Sequence, residues 1–124
     1  MASIVEIVSY FNNAKQQAIV WHHQTTSKSE HEALEGFYTE IVELLDGLSE
    51  SYAGIYGRLK GYDVEDLMDW GGLDNTIAYY KGCYEWLQIE RKTAPQDSWI
   101  QNQLDEIAAL LGQTLYRLSL RTNG

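Results

Sequence analysis

All three histidines of the chain, His22, His23 and His31, fall inside one short stretch, WHHQTTSKSEHEALEGFY at residues 21–38. Neutral imidazole is the commonest nitrogen donor to a metal ion, so such a gathering first poses a question of metal chemistry. A helix turns once in about 3.6 residues, so His31 and Glu35 stand one above the other, as do Asp46 and Glu50 further along the same helix. These four share a strip with Tyr38, Val42 and Ser49, between the apolar stripe and the water-facing side. Fifteen residues separate His31 from Asp46, which is roughly 22 Å of helix. One copy of the chain therefore cannot bring both pairs onto one ion. A two-fold axis near Glu40–Ile41 can: it lays the helix antiparallel to its copy, so that the His31/Glu35 end meets the partner's Asp46/Glu50 end, twice. His22, at the end of the preceding helix, adds a third ligand from the first copy. Imidazole plus carboxylates suits a first-row divalent ion, with Fe(II), Mn(II) and Zn(II) all compatible. The lack of thiolate donors argues against a structural zinc site.

Taken singly, these features have plainer meanings. Acid pairs one turn apart are common on the solvated helix faces of an acidic chain, and a histidine on an apolar stripe is usually packed with one hydrogen bond. His23 points away from that stripe and reads as surface. Only the joint pattern argues for a site. Other chemistries lack their motifs. The positions three before the histidines are Ile19, Val20 and Lys28, so the Glu-x-x-His of metal centres held inside one bundle is missing. HEALE has Glu35 where a zinc protease needs its second histidine, and there is no glycine-rich phosphate loop. Cys83 has no base beside it in sequence and reads as a packed thiol. The aromatic-rich YYKGCYEWL is expected to be core and subunit interface. Tyr38, on the ligand strip, is the candidate for taking up oxidising equivalents.

The elements that must hold these residues follow from the apolar period, which is helical almost throughout. Ser3 caps a first helix reaching Trp21–His23, with Ile4, Ile7, Val8, Phe11, Ala14, Ala18 and His22 on one stripe. Ser29 and Glu32 form a capping box for a second helix running to Tyr52–Tyr56. Its core stripe is Leu34, Ile41, Leu45, Leu48 and Tyr52, and Gly36, Glu40, Glu43, Gly47 and Ser51 face water. The glycine-rich GRLKGYDVEDLMDWGG is expected to be a long crossover with a short helix over Val64–Trp70. A third helix starts near Asp74 and runs to about Lys92. A fourth has Pro95 just inside its start and extends to about Arg121. Two helices, a long connection and two more helices describe an all-α, ferritin-like four-helix bundle, as a single domain over residues 1–124.

With 18 acidic and 9 basic residues the net charge is −9, and Lys15 is the only lysine or arginine in the first 27 residues. Such a chain repels nucleic acid and anionic membranes. Arg117 and Arg121 are too few for a DNA-binding footprint. A single cysteine fits a reducing compartment, and no apolar run reaches a membrane span. The expectation is a cytoplasmic protein.

The segment HHQTTSKSEHEALEGFYTEIVELLDGLSE resembles the signature of the Dps family, the DNA-binding proteins from starved cells, and of the shortened Dps-like proteins of bacteriophages. His22 and His31 match the family's two histidines, Glu35 its following acid, and Asp46 and Glu50 its Asp-x-x-x-Glu pair. Two departures stand out: His23 replaces the tryptophan after the first histidine, and the loop between the histidines is shorter than in cellular members. The resemblance implies iron as the bound metal, held between two-fold-related subunits with His22, His31 and Glu35 from one chain and Asp46 and Glu50 from the other. It also implies Fe(II) oxidation by peroxide, ferric iron storage, and a homo-oligomer built on a two-fold dimer, up to a twelve-subunit shell. The lysine-rich tail through which many members bind DNA is missing. The alternative expectation is a ferritin-like oligomeric binding or structural protein, such as a phage accessory component, without redox activity.

Overall fold

The computed structural model describes residues 3–120; Arg121, the expected end of the fourth helix, lies outside them. Among the described residues there are four helices and no strand: α1 (Ile4–Gln24), α2 (Lys28–Tyr56), α3 (Leu73–Glu90) and α4 (Ser98–Ser119). Ser3 caps α1 as expected, its hydroxyl accepting from the Glu6 amide at 3.3 Å. The expected α1 stripe is buried in full, from Ile4 to His22. α2 begins earlier than expected. Its cap is Ser27, whose hydroxyl accepts from the Glu30 amide at 3.3 Å. The expected Ser29/Glu32 box is not made: Glu32 is exposed and 4.0 Å from Lys28. Pro95 precedes α4 rather than opening it, since Asp97 is the residue before the first turn.

α1 packs on α2, α2 on α4, and α4 on α3. Residue contacts give the directions. The Tyr56 hydroxyl at the end of α2 donates to Asp97 at the head of α4, so these two helices are antiparallel. Thr76 in the first turn of α3 donates to Glu30 in the first turn of α2, and Trp86 near the end of α3 stacks on Tyr10 near the start of α1. α3 therefore runs parallel to α2. Phe11, Phe37, Tyr80, Leu104 and Ile107 meet in the core with no measurable exposure. Gly36 and Gly47, expected in water, instead face α4: a Cβ at Gly36 would stand 2.8 Å from Arg117 Nη1, and one at Gly47 would touch Gln103.

The connection at residues 57–72 corrects the sequence reading. It holds no helix over Val64–Trp70 and runs extended along α1. The reason lies in what it faces. Val64 is 84% exposed, and Leu67 and Met68 are exposed too, because the α1 face beneath is polar. Ser9, Asn13, Gln17 and Gln24 line that face and take the strap's backbone groups. The Asp63 amide donates to Ser9 (3.0 Å), that of Glu65 to Asn13 (3.2 Å) and that of Trp70 to Gln24 (2.7 Å). Met68 is held on both sides: its amide donates to Gln17 Oε1 at 2.9 Å, and its carbonyl accepts from Gln17 Nε2 and Trp21 Nε1, each at 2.8 Å. Side-chain amides thus satisfy backbone groups that a helix would have satisfied internally.

Candidate metal centre

The last turn of α1 and the first of α2 are joined by only Thr25, Thr26 and Ser27, and this short joint brings His22 and His31 ring to ring. Their centroids are 3.5 Å apart with planes inclined by 18°. Each ring hydrogen-bonds the other residue's backbone: His22 Nδ1 to the His31 carbonyl and His31 Nδ1 to the His22 carbonyl, both at 2.7 Å. The local chain dictates part of this. The last backbone bond of α1 goes from the Thr25 amide to the Trp21 carbonyl, which leaves the His22 carbonyl, one residue further on, as an orphan helix-end acceptor. His31 satisfies it.

A carbonyl oxygen only accepts, so both Nδ1 atoms are donors and carry their protons. In the neutral rings the lone pairs are then on Nε2, the tautomer that ligates metal when its other nitrogen is held by a carbonyl. His22 Nε2 lies 3.7 Å from Glu35 Oε1. His22, His31 and Glu35 each offer a ligand atom, all within 4.8 Å of one another. Among the described residues no other His/Cys/Asp/Glu group meets that test. His22 is buried and His31 partly exposed, while Glu35 opens to solvent. The carbonyl end of α1 also favours positive charge at this point. Tyr38 stands edge-on to His22 at 5.3 Å, and His23 is exposed.

Asp46 and Glu50 lie on exposed α2 surface, remote from the His22/His31/Glu35 group of their own chain. Between the two sets, Val42 is 39% exposed and Tyr38 is half-buried, whereas Ile41 is wholly inside its own bundle. Cys83 is buried, and burial pushes its thiol up to about 12, outweighing the opposing hydrogen bonds of Tyr10 and Tyr79. At that value it is not a thiolate ligand or nucleophile.

Sequence reasoning missed Glu30. It is 1% exposed and its carboxylate accepts from Thr25 Oγ1 (2.8 Å), Trp70 Nε1 (2.9 Å) and Thr76 Oγ1 (2.7 Å). The signal was present but doubled: Ser27-x-x-Glu30 and Ser29-x-x-Glu32 both have capping-box spacing, and only burial separates them.

The stretch from His22 to Leu118 matches a single protein-family model. The chain belongs to that family, DUF5856. Its description is a family of unknown function. No curated protein and no solved structure matches the chain. In this DUF5856 member the matched stretch contains His22, His31, Glu35, Asp46 and Glu50 together.

Proposed function

We propose that this protein is a small Dps-like ferroxidase, a ferritin-like bundle that binds Fe(II) between two antiparallel copies of α2 and passes its electrons to peroxide. The observation that carries the reading is the reciprocal histidine clasp, which makes both Nδ1 atoms donors and leaves His22 Nε2 beside Glu35. Three donors from one chain leave a first-row ion short of its usual number, and the exposed Asp46/Glu50 pair on the same strip supplies the remainder from the partner. At the level of the two-fold axis Tyr38 and Val42 of each copy would meet. Val42, the aliphatic residue of an otherwise polar strip, would be buried there.

In that arrangement the chain's own groups divide the work. His22 and His31 give neutral nitrogen donors suited to Fe(II). The carboxylates of Glu35, Asp46 and Glu50 are hard anionic donors that favour Fe(III) over Fe(II), so they lower the free energy of oxidation. At either site two Fe(II) ions, bound in turn, would give one electron each to a hydrogen peroxide, whose O–O bond breaks and which leaves as two waters after taking two protons. Tyr38, edge-on to His22, is placed to quench a stray one-electron oxidant. Further assembly of dimers into a shell would store the ferric product.

Anaerobic Fe(II) loading followed by peroxide, read by ferric absorbance, tests the reading. The wild type is expected to oxidise iron well above the rate of free Fe(II) under the same conditions. The double variant His31→Ala/Asp46→Ala, which removes one donor from each half of a site, is expected to lose that excess. Unchanged oxidation in the double variant refutes the assignment. Iron bound tightly without turnover would instead support an oligomeric metal-binding protein.

A further inference from the structure

Among the described residues Glu30 is the only buried carboxylate in a chain that otherwise shows its acids to water. Burying an ionised carboxylate is costly unless its oxygens are well hydrogen-bonded. Here three donors come from three different elements: Thr25 in the α1–α2 joint, Trp70 at the end of the strap and Thr76 in the first turn of α3. Capping α2 does not require this, because the Ser27 hydroxyl already takes the Glu30 amide. The next residue along the chain is His31. Two hydrogen bonds of 2.7 Å, from each ring to the other's carbonyl, can form together only if the first turn of α2 is set against the last turn of α1 in both height and rotation. A three-residue joint leaves that setting open, and Glu30 removes the freedom by anchoring the same turn of α2 to the joint, the strap and α3.

We propose that Glu30 is the positioning residue of the histidine pair. Its carboxylate sets the register of α2 against α1, so that His22 and His31 keep their Nδ1 protons on each other's carbonyls and both Nε2 atoms are free for an ion. The strap thereby becomes part of the centre, since Trp70 is bonded to Glu30, the residue next to His31. This rests on the reading of His22, His31 and Glu35 as a metal site.

Two readouts on the full-length protein separate the ideas. The first uses no metal: nitrogen-15 histidine NMR at pH 8 reads the two Nδ1–H protons of the clasp. The second is titration with Co(II), read by its visible absorption. Wild type is expected to show both protons and to bind Co(II). Glu30→Ala is expected to lose both protons to exchange and to bind at least roughly tenfold more weakly, the scale for removing an outer support of a metal ligand. Glu30→Gln keeps an oxygen for Trp70 and Thr76 and turns an N–H toward the Thr25 hydroxyl, so it is expected to restore both signals. Thr25→Val cuts only the joint's side of the tie. It is expected to weaken the clasp and carries the test if Glu30→Ala does not fold. Leu104→Ala, a core truncation on α4, controls for loss of stability alone and should keep both protons. Retention of the Nδ1–H pair and wild-type affinity in Glu30→Ala or in Thr25→Val overturns the proposal, as does equal loss in Leu104→Ala. A wild type with both protons but no Co(II) binding refutes the metal site while leaving the positioning role to be judged on the protons.

Discussion

The two imidazoles at the α1–α2 joint stack on each other but send their hydrogen bonds to backbone carbonyls, and this divides their structural and chemical roles. Replacing His22 with Ala removes one ring and its hydrogen bond but leaves the His22 carbonyl for His31 to use. The stability cost is therefore expected to be about 1–3 kcal/mol by chemical denaturation, the sum of one modest hydrogen bond and a buried ring. Metal binding by the same variant is expected to fall far more than stability. A proportionate loss of both would mean that His22 is merely packed. Cys83 gives a second expectation at this scale. An unfolded thiol ionises near the ordinary value of 9.0, whereas the folded one holds its proton up to about 12. Between those pH values the folded state binds the extra proton, so this contribution is fully present below pH 9 and is lost as pH rises toward 12. Denaturation midpoints should fall across that window, less steeply in Cys83→Ala. At pH 8 a thiol reagent should modify Cys83 only as fast as the chain opens. The gathering of His22, His31 and Glu35 was legible because imidazole is rare here and its spacing to an acid is regular. Glu30 was not, because nothing in an acidic sequence marks which acid is withdrawn from water.

The helices themselves could be read from their apolar period, since α1, α2 and α4 each bury a continuous stripe such as Ile4–Ile7–Phe11 or Leu104–Ile107–Leu111. The strap could not. Val64, Leu67 and Met68 have helical spacing, but what decides the conformation is the polar i, i+4 row Ser9–Asn13–Gln17 on α1, more than forty residues away. A partner at that separation leaves no local trace. Gln17 is the centre of this arrangement, giving and taking a bond at Met68. Gln17→Ala leaves the Met68 amide without its acceptor, while the Met68 carbonyl keeps Trp21 Nε1, so it is expected to cost about 1–3 kcal/mol. Hydrogen exchange at the Met68 amide should quicken by more than at core amides of α4. Uniform quickening across the molecule would show that the strap has no independent hold.

Over the whole molecule, charge bears on the proposed pairing of two copies. A net charge of −9 opposes self-association through like-charge repulsion, and divalent ions at the two symmetric sites of the proposed dimer would offset it. No helix among the described residues is long and apolar enough to cross a membrane. The bundle shape and the gathering of His22, His31 and Glu35 are properties of one chain. In the proposed dimer the contribution of Asp46 and Glu50 would come from the second copy, which is why spacing alone could raise it and a single copy cannot display it.

The most direct measurement is a crystal structure of the protein grown with Fe(II) under anaerobic conditions, or with Co(II) in its place, with the ions located by anomalous scattering. Two equivalent ions per dimer are expected, each held by His22, His31 and Glu35 of one copy and by Asp46 and Glu50 of the other. Neighbouring copies that keep residues 31 and 46 far apart, or ions that ignore the histidine pair, would contradict it.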